Sequence, residues 1–193
     1  MTFRLAPTGI SEGYRLEAHA SVGSTNALAL EHARAGDAGK LWVVSKKQDS
    51  GRGRRGRAWA TPEGNLAATL LIVTARDLKL AATLGFVAGL ALSDALDAVV
   101  PNARIAIAPD GGSGEGGKNR FELKWPNDVL ASGAKLAGIL LESAMLGDGR
   151  FAVAVGIGVN VVAYPEDVPY PAISPKAIGA NCDAETLFVP LST

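Results

Sequence analysis

Histidine and cysteine are nearly missing from this chain, and their scarcity removes whole classes of chemistry. One cysteine, Cys182, can form neither an intramolecular disulfide nor a multi-cysteine metal site, and two histidines, His19 and His32, are too few for a histidine-rich one. Net charge is missing too, since 19 basic residues balance 19 acidic ones among 193. The chain as a whole is therefore no polyanion binder, and any electrostatic function has to come from local clustering. No charged-then-apolar signal pattern opens the sequence. The apolar run Leu80 to Ser93 is too short to span a bilayer and is followed by Asp94 and Asp97. A cytoplasmic protein without a membrane segment is the expectation, and no internal repeat is visible.

What remains is ordinary for a globular domain: 48% hydrophobic and 20% charged residues, with enough length for one substantial core. Residues 14–22, "YRLEAHASV", alternate like a strand, with His19 in it. "STNALALEHARAG" (24–36) reads as a helix capped by Ser24 or Thr25 and closed by Gly36, with His32 on its exposed side. "KLWVVSKKQ" (40–48) and "NLAATLLIV" (65–73) are strand-like. Residues 77–100 are apolar nearly all round and predict one buried helix. The glycine-rich "APDGGSGEGGKNR" (108–120) predicts a flexible hairpin tip or linker. Three strand-like runs follow, "FELKW" (121–125), "KLAGILLESAML" (135–146) and "RFAVAVGIGVNV" (150–161), the last two joined by a "GDG" turn. The pattern predicts an α+β domain on a mixed, mainly antiparallel sheet packed with helices. Half of the ten prolines lie after residue 164, where a helix capped by Asp183 meets Pro190.

Against the neutral background, Lys46 to Arg57 holds six basic residues and one acid, Asp49. Within it, "GRGRRGRAW" places Arg52, Arg54, Arg55 and Arg57 among Gly51, Gly53 and Gly56 and ends in Trp59. Guanidinium groups suit carboxylate and phosphate, and glycines let the backbone come close to a ligand. The segment reads as a mobile anion clamp, and it lacks the Walker pattern. Four further stretches carry polar groups where packing alone does not demand them. They are "STN" (24–26) at a helix start, "KWPNDV" (124–129) at the sheet's edge, "KLAGILLE" (135–142) with Lys135 before an apolar strand, and "GIGVN" (156–160). Each of these is also compatible with ordinary capping, turn or bulge chemistry.

Taken in order, "STN", "GRGRRGRAW", "KWPND", "KLAGIL" and "GIGVN" resemble the catalytic domain of biotin protein ligases over about residues 14–163. The resemblance implies the biotin–lipoate ligase catalytic fold, which is like that of class II aminoacyl-tRNA synthetases. It implies formation of biotinyl-5′-AMP from biotin and ATP with Mg²⁺, then transfer to a lysine of a carboxylase's biotin carboxyl carrier domain. Carried over by position, Lys135, Arg52 and Arg54 are the expected catalytic residues. Ser24, Thr25, Gln48, Gly51, Arg52, Lys135 and Gly138 are expected to contact biotin, with Gly138 and Gly156 making room for an apolar floor. Arg54, Arg55, Trp59, Asn127, Asp128 and Asn160 are expected at the nucleotide, and Asp128 at Mg²⁺. The family continues into a small SH3-like domain, and some relatives begin with a helix-turn-helix. Neither has a counterpart in these 193 residues, so residues 164–193 read as a tail with a shortened helix, and repressor activity is not expected. Homodimer formation is left open. The rival readings are a lipoate or octanoate ligase or transferase of the same fold, or a non-catalytic binder of biotin or nucleic acid.

Overall fold

The computed structural model describes residues 2–75, 78–100, 104–108, 120–124 and 127–193. In chain order its elements are α1 (Pro7–Ser11), β1 (Arg15–His19), α2 (Thr25–Arg34), β2 (Leu41–Ser45), β3 (Leu66–Thr74), α3 (Leu78–Ala81), α4 (Leu84–Val99), β4 (Arg104–Ala108), β5 (Arg120–Lys124), β6 (Asp128–Ala131), β7 (Ala134–Met145), β8 (Phe151–Val159) and α5 (Ala184–Leu191). The eight strands form one sheet in the order β1-β2-β3-β8-β7-β6-β5-β4. Only β1–β2 and β4–β5 pair in parallel. The other five pairings are antiparallel, so the predicted α+β class holds.

The central strands explain how helices and site divide the sheet. In β8, Ala152, Ala154, Gly156 and Gly158 share one face, while Val153, Val155, Ile157 and Val159 share the other. The bulky face packs with α4, α5, Phe3 and Trp42 into the main core. On the small-residue face, Ala152 and Ala154 join Val43 and Leu71 to receive α2 through Ala29, Leu30 and Ala33. Beyond the N-terminal end of α2 the same face carries glycine. That is where the site lies.

Several expectations need correction. The single helix expected over 77–100 is two helices among the described residues, α3 and α4, and α4 is not buried all round: Phe86, Val87 and Leu90 are 52%, 57% and 52% exposed. The sheet covers one helix face, chiefly through Ala88, Leu92, Ala95 and Leu96, and cannot reach the rest. Lys124 and Asp128 do not lie on an edge strand, because Lys124 ends β5 and Asp128 opens β6, and both strands are paired on each side inside the sheet. Strands β4 and β6 were not anticipated, being short and without a clear alternation. His32 is half-buried rather than exposed, its Nε2 lying 2.8 Å from Glu17, the same carboxylate that meets His19. Of the segment 108–120 expected to be flexible, Ala108 ends β4 and Arg120 opens β5, and 109–119 lies outside the described residues, as do Trp125 and Pro126.

The segment after residue 163 is tied into this body. Asn65, buried beneath it, accepts through Oδ1 from the N–H groups of Val161, Val162 and Ala163 at 3.0–3.1 Å and donates to the Ala163 carbonyl. Residues 171–173 run alongside Lys135. Asp183 caps α5 as predicted, accepting from the N–H and hydroxyl of Thr186, and these bonds hold its carboxyl below the usual range. Pro190 lies inside α5, where it forgoes the bond an N–H would make to the Thr186 carbonyl one turn back.

Candidate functional site

The N-terminus of α2, the β2–β3 loop and the glycine-bearing face of β8 and β7 enclose one cleft. Register dictates this meeting. Ala67 and Thr69 of β3 stand opposite Gly158 and Gly156, which stand opposite Gly138 and Leu140 of β7. Two places along the same face of β7 comes Glu142.

At one end of the cleft the polar groups are neutral. Ser24 caps α2 by accepting from the Ala27 N–H, which leaves the Thr25 N–H to donate to Gln48 Oε1 at 2.9 Å. Gln48 Nε2 donates to Thr61 Oγ1 at 3.1 Å, fixing the orientation of the amide. Thr25, Asn26 and Thr69 are buried and lie within hydrogen-bonding distance of one another through Thr69 Oγ1. Gly156 is required here, since a Cβ would overlap Asn26 Oδ1.

At the other end stand two cations, each beside a carboxylate. Lys135 Nζ lies 2.9 Å from Asp128 Oδ1, and its side chain is only 18% exposed. Asn127 Nδ2 donates to the same Asp128 oxygen, while Asn127 Oδ1 accepts from Arg54 Nη1 at 2.7 Å. Arg52 Nη2 lies 3.1 Å from Glu142 Oε2. The rings of Trp59 and Tyr170 both have their centroids 5.4 Å from Lys135 Nζ, within the range where a ring face attracts a cation. The backbone of Lys135 is pinned as firmly: its N–H donates to Pro171, and its carbonyl accepts from Ile173 N–H and Asn160 Nδ2. Asn160 Oδ1 is buried and has no hydrogen-bond partner among the described residues, beside the catalytic-lysine candidate.

The arginine loop is a tight hairpin. Arg52 pairs with Ala58, Gly53 N–H donates to Arg57, and Trp59 N–H donates to Gly51. A Cβ at Gly51 would overlap the Trp59 carbonyl oxygen, so glycine lets the two arms close. Arg55 takes a left-handed conformation (φ 57°) at the exposed tip. Trp59 then lies over the strand glycines: a Cβ at Gly158 would overlap its indole, and one at Gly138 would sit 3.2 Å from its ring. The glycines expected to open an apolar floor thus make room for Trp59 and Asn26. Only about 50 Å³ of free volume remains in the cleft.

Many of the residues named from the sequence line this cleft, among them Ser24, Thr25, Gln48, Arg52, Arg54, Trp59, Asn127, Lys135, Gly138 and Gly156. Gly51, Asp128 and Asn160 stand behind them, in contact with Gln48 and Trp59 or with Lys135. Arg55 is not brought in. Sequence reasoning missed the parts played by Asn26, Thr69, Glu142 and Tyr170. The first and third lay inside quoted motifs. Thr69 had one signal, a hydroxyl in the middle of the otherwise apolar run "LAATLLIV". Among the described residues no group of three or more Asp, Glu, His or Cys side chains forms a metal site, and no helix is long and apolar enough to cross a membrane.

Comparison with known proteins agrees with this geometry. The biotin–[acetyl-CoA-carboxylase] ligase of Paracoccus denitrificans is 50% identical over 144 residues, which are 74% of this chain and 53% of that protein. The ligase of the same name from Mycobacterium tuberculosis is 39% identical over 175 residues, 89% of this chain and 59% of that protein. This chain therefore spans somewhat over half the length of these relatives. A Leishmania major biotin protein ligase solved with biotinyl-5-AMP superposes with a TM-score of 0.67 at 27% identity, covering 92% of this chain and 70% of that one. The Biotin/lipoate A/B protein ligase family profile matches residues 19–160. With its mixed sheet, its paired cations and its glycine-lined cleft, the chain belongs to the biotin/lipoate A/B protein ligase family.

Proposed function

We propose that this chain forms biotinyl-5′-AMP from biotin and ATP and passes the biotinyl group to a lysine of a biotin carboxyl carrier domain. One observation carries the reading: the cleft is neutral and hydrogen-bonding at Thr25 and Gln48 and cationic at Lys135 and Arg52. A ligand with a neutral polar head and an anionic tail matches that division, as biotin's ureido ring and carboxylate do.

In the first step a carboxylate oxygen of biotin attacks the α-phosphorus of ATP, and the bond to pyrophosphate breaks. Both reactants are anions, so Lys135 and Arg52 lower their repulsion and hold them in line. Arg54 and Asn127 stand on the nucleotide side of Lys135, and Asn160 supports the site from behind through its bond to the Lys135 carbonyl. Asp128 is the residue that would hold Mg²⁺, in the mode where one carboxylate shares the ion with substrate phosphates. Bound there, the ion would neutralise phosphate charge. In the second step the carrier lysine's amine attacks the acyl carbon, the amide forms and AMP leaves. Trp59 and the hairpin shield the mixed anhydride from water in between.

Differential scanning fluorimetry tests the ligand class. Biotin raises the melting temperature of the chain, and lipoate at equal concentration raises it less. A larger shift with lipoate would move the assignment to the lipoate branch of the family.

A further inference from the structure

We propose that Glu142 is a positioning residue that holds Arg52 against β7 before ligand binds, so that an anionic ligand gains the guanidinium by displacing this carboxylate. The inference rests on the reading of the cleft as a site for an anion.

An arginine–glutamate pair with one half-exposed partner is ordinarily worth little. This one is built differently, because its acceptor is fixed from within. Glu142 Oε2 accepts from Asn26 Nδ2 at 2.9 Å as well as from Arg52. The Asn26 amide cannot turn over. Its Nδ2 faces only acceptors, Glu142 and the Leu140 carbonyl, while its Oδ1 lies 2.7 Å from Thr69 Oγ1. Since Asn26 Oδ1 only accepts, the single hydroxyl proton of Thr69 goes to it. Thr69 Oγ1, 2.8 Å from Thr25 Oγ1, then accepts from that hydroxyl, and Gln48 Oε1 keeps the Thr25 N–H. The donors run in one direction, from Thr25 through Thr69 and Asn26 to Glu142. A continuous line joins the neutral end of the cleft to the arginine hairpin, over buried side chains and the glycine at 156 that admits them.

Two consequences follow. The chain stabilises the position of Glu142 without neutralising it, so the carboxylate competes with any ligand anion for Arg52. Because the hairpin also seats Trp59 over Gly158 and Gly138, releasing Arg52 loosens the whole loop that fills the cleft.

The test uses the full chain, its Glu142→Gln variant, Arg52→Ala and the double variant. Glutamine keeps the shape and can still accept from Asn26, but it lacks the charge. Without ligand, tryptic cleavage after Arg54, Arg55 and Arg57 is read by mass spectrometry, and Glu142→Gln is cut about threefold to fivefold faster, the range for releasing a partly exposed ion pair. In isothermal titration the same variant binds biotin tighter by a similar factor. In the Arg52→Ala background, Glu142→Gln changes neither quantity. A merely structural Glu142 would give faster cleavage with weaker binding, and the loss would persist without Arg52; that result overturns the proposal, as does a wild-type cleavage rate in Glu142→Gln. If no variant binds biotin, the reading of the site fails, while the digestion series alone still decides whether Glu142 holds Arg52.

Discussion

Lys135→Ala lowers the rate of adenylate formation about 10²- to 10³-fold, equivalent to ~3–4 kcal/mol of lost transition-state stabilisation, and leaves the fold intact. The magnitude follows from where the ammonium stands. It is mostly shielded from solvent, faces the cationic end of the cleft, and is fixed through both its backbone and its side chain. As negative charge develops on the phosphoryl oxygens, a donor already in place need not be reorganised, which makes its loss expensive. Lys135→Arg does not restore the rate. A planar guanidinium, larger and drawn to the Asp128 carboxylate and to the faces of Trp59 and Tyr170, does not present the same compact, rotatable point charge to the phosphoryl oxygens. Single-turnover kinetics checks the rate, and far-UV circular dichroism checks the fold. An alanine variant as fast as wild type would make Lys135 a strand residue with no part in the chemistry.

The second large effect concerns stability. Phe188→Ala destabilises the chain by about 3–5 kcal/mol, the usual cost of removing a fully buried aromatic ring. Phe188 is fully buried and meets Phe3 and Trp42 edge to face, at 5.7 and 5.4 Å between centroids. These three rings join α5 to β2 and to the residues before α1, and Ser192 Oγ adds a bond from the Ala6 N–H. The segment that composition marked as a proline-rich tail thus closes the core over the face of the sheet opposite the cleft. Urea denaturation measures the loss. A change below about 1 kcal/mol would mean that α5 only rests on the surface.

That contrast shows what was legible beforehand and what was not. "GRGRRGRAW" stood out because arginine among glycines has no simple packing role, whereas "KWPND" was also compatible with turn chemistry and gained weight only from the order of the motifs. The class of sheet was legible too, from alternation and the late hairpins. Roles set by register were not. Thr69, Asn26 and Glu142 lie on three elements far apart in sequence, and nothing local says that β3, β8 and β7 align them in one line. The alternation Ala-Val-Ala-Val-Gly-Ile-Gly-Val in β8 did carry part of this information, since a face of small residues must admit something. What it admits, α2, Asn26 and Trp59, follows only from the fold. Arg55 shows the opposite failure: its side chain has the right chemistry, but a left-handed backbone at the hairpin tip carries it away from the cleft. Tyr170 gave no signal at all, being one aromatic among prolines that reaches Lys135 only because residues 171–173 pair beside it.

Adenylate formation by the unmodified chain tests the central claim most directly. The protein is incubated with biotin, ATP and Mg²⁺, and mass spectrometry follows biotinyl-AMP while a coupled assay follows pyrophosphate. The account predicts that both products appear in equal amounts, depend on biotin, and are not replaced by lipoyl-AMP when lipoate is supplied. Pyrophosphate release without biotinyl-AMP, or a preference for lipoate, would contradict it.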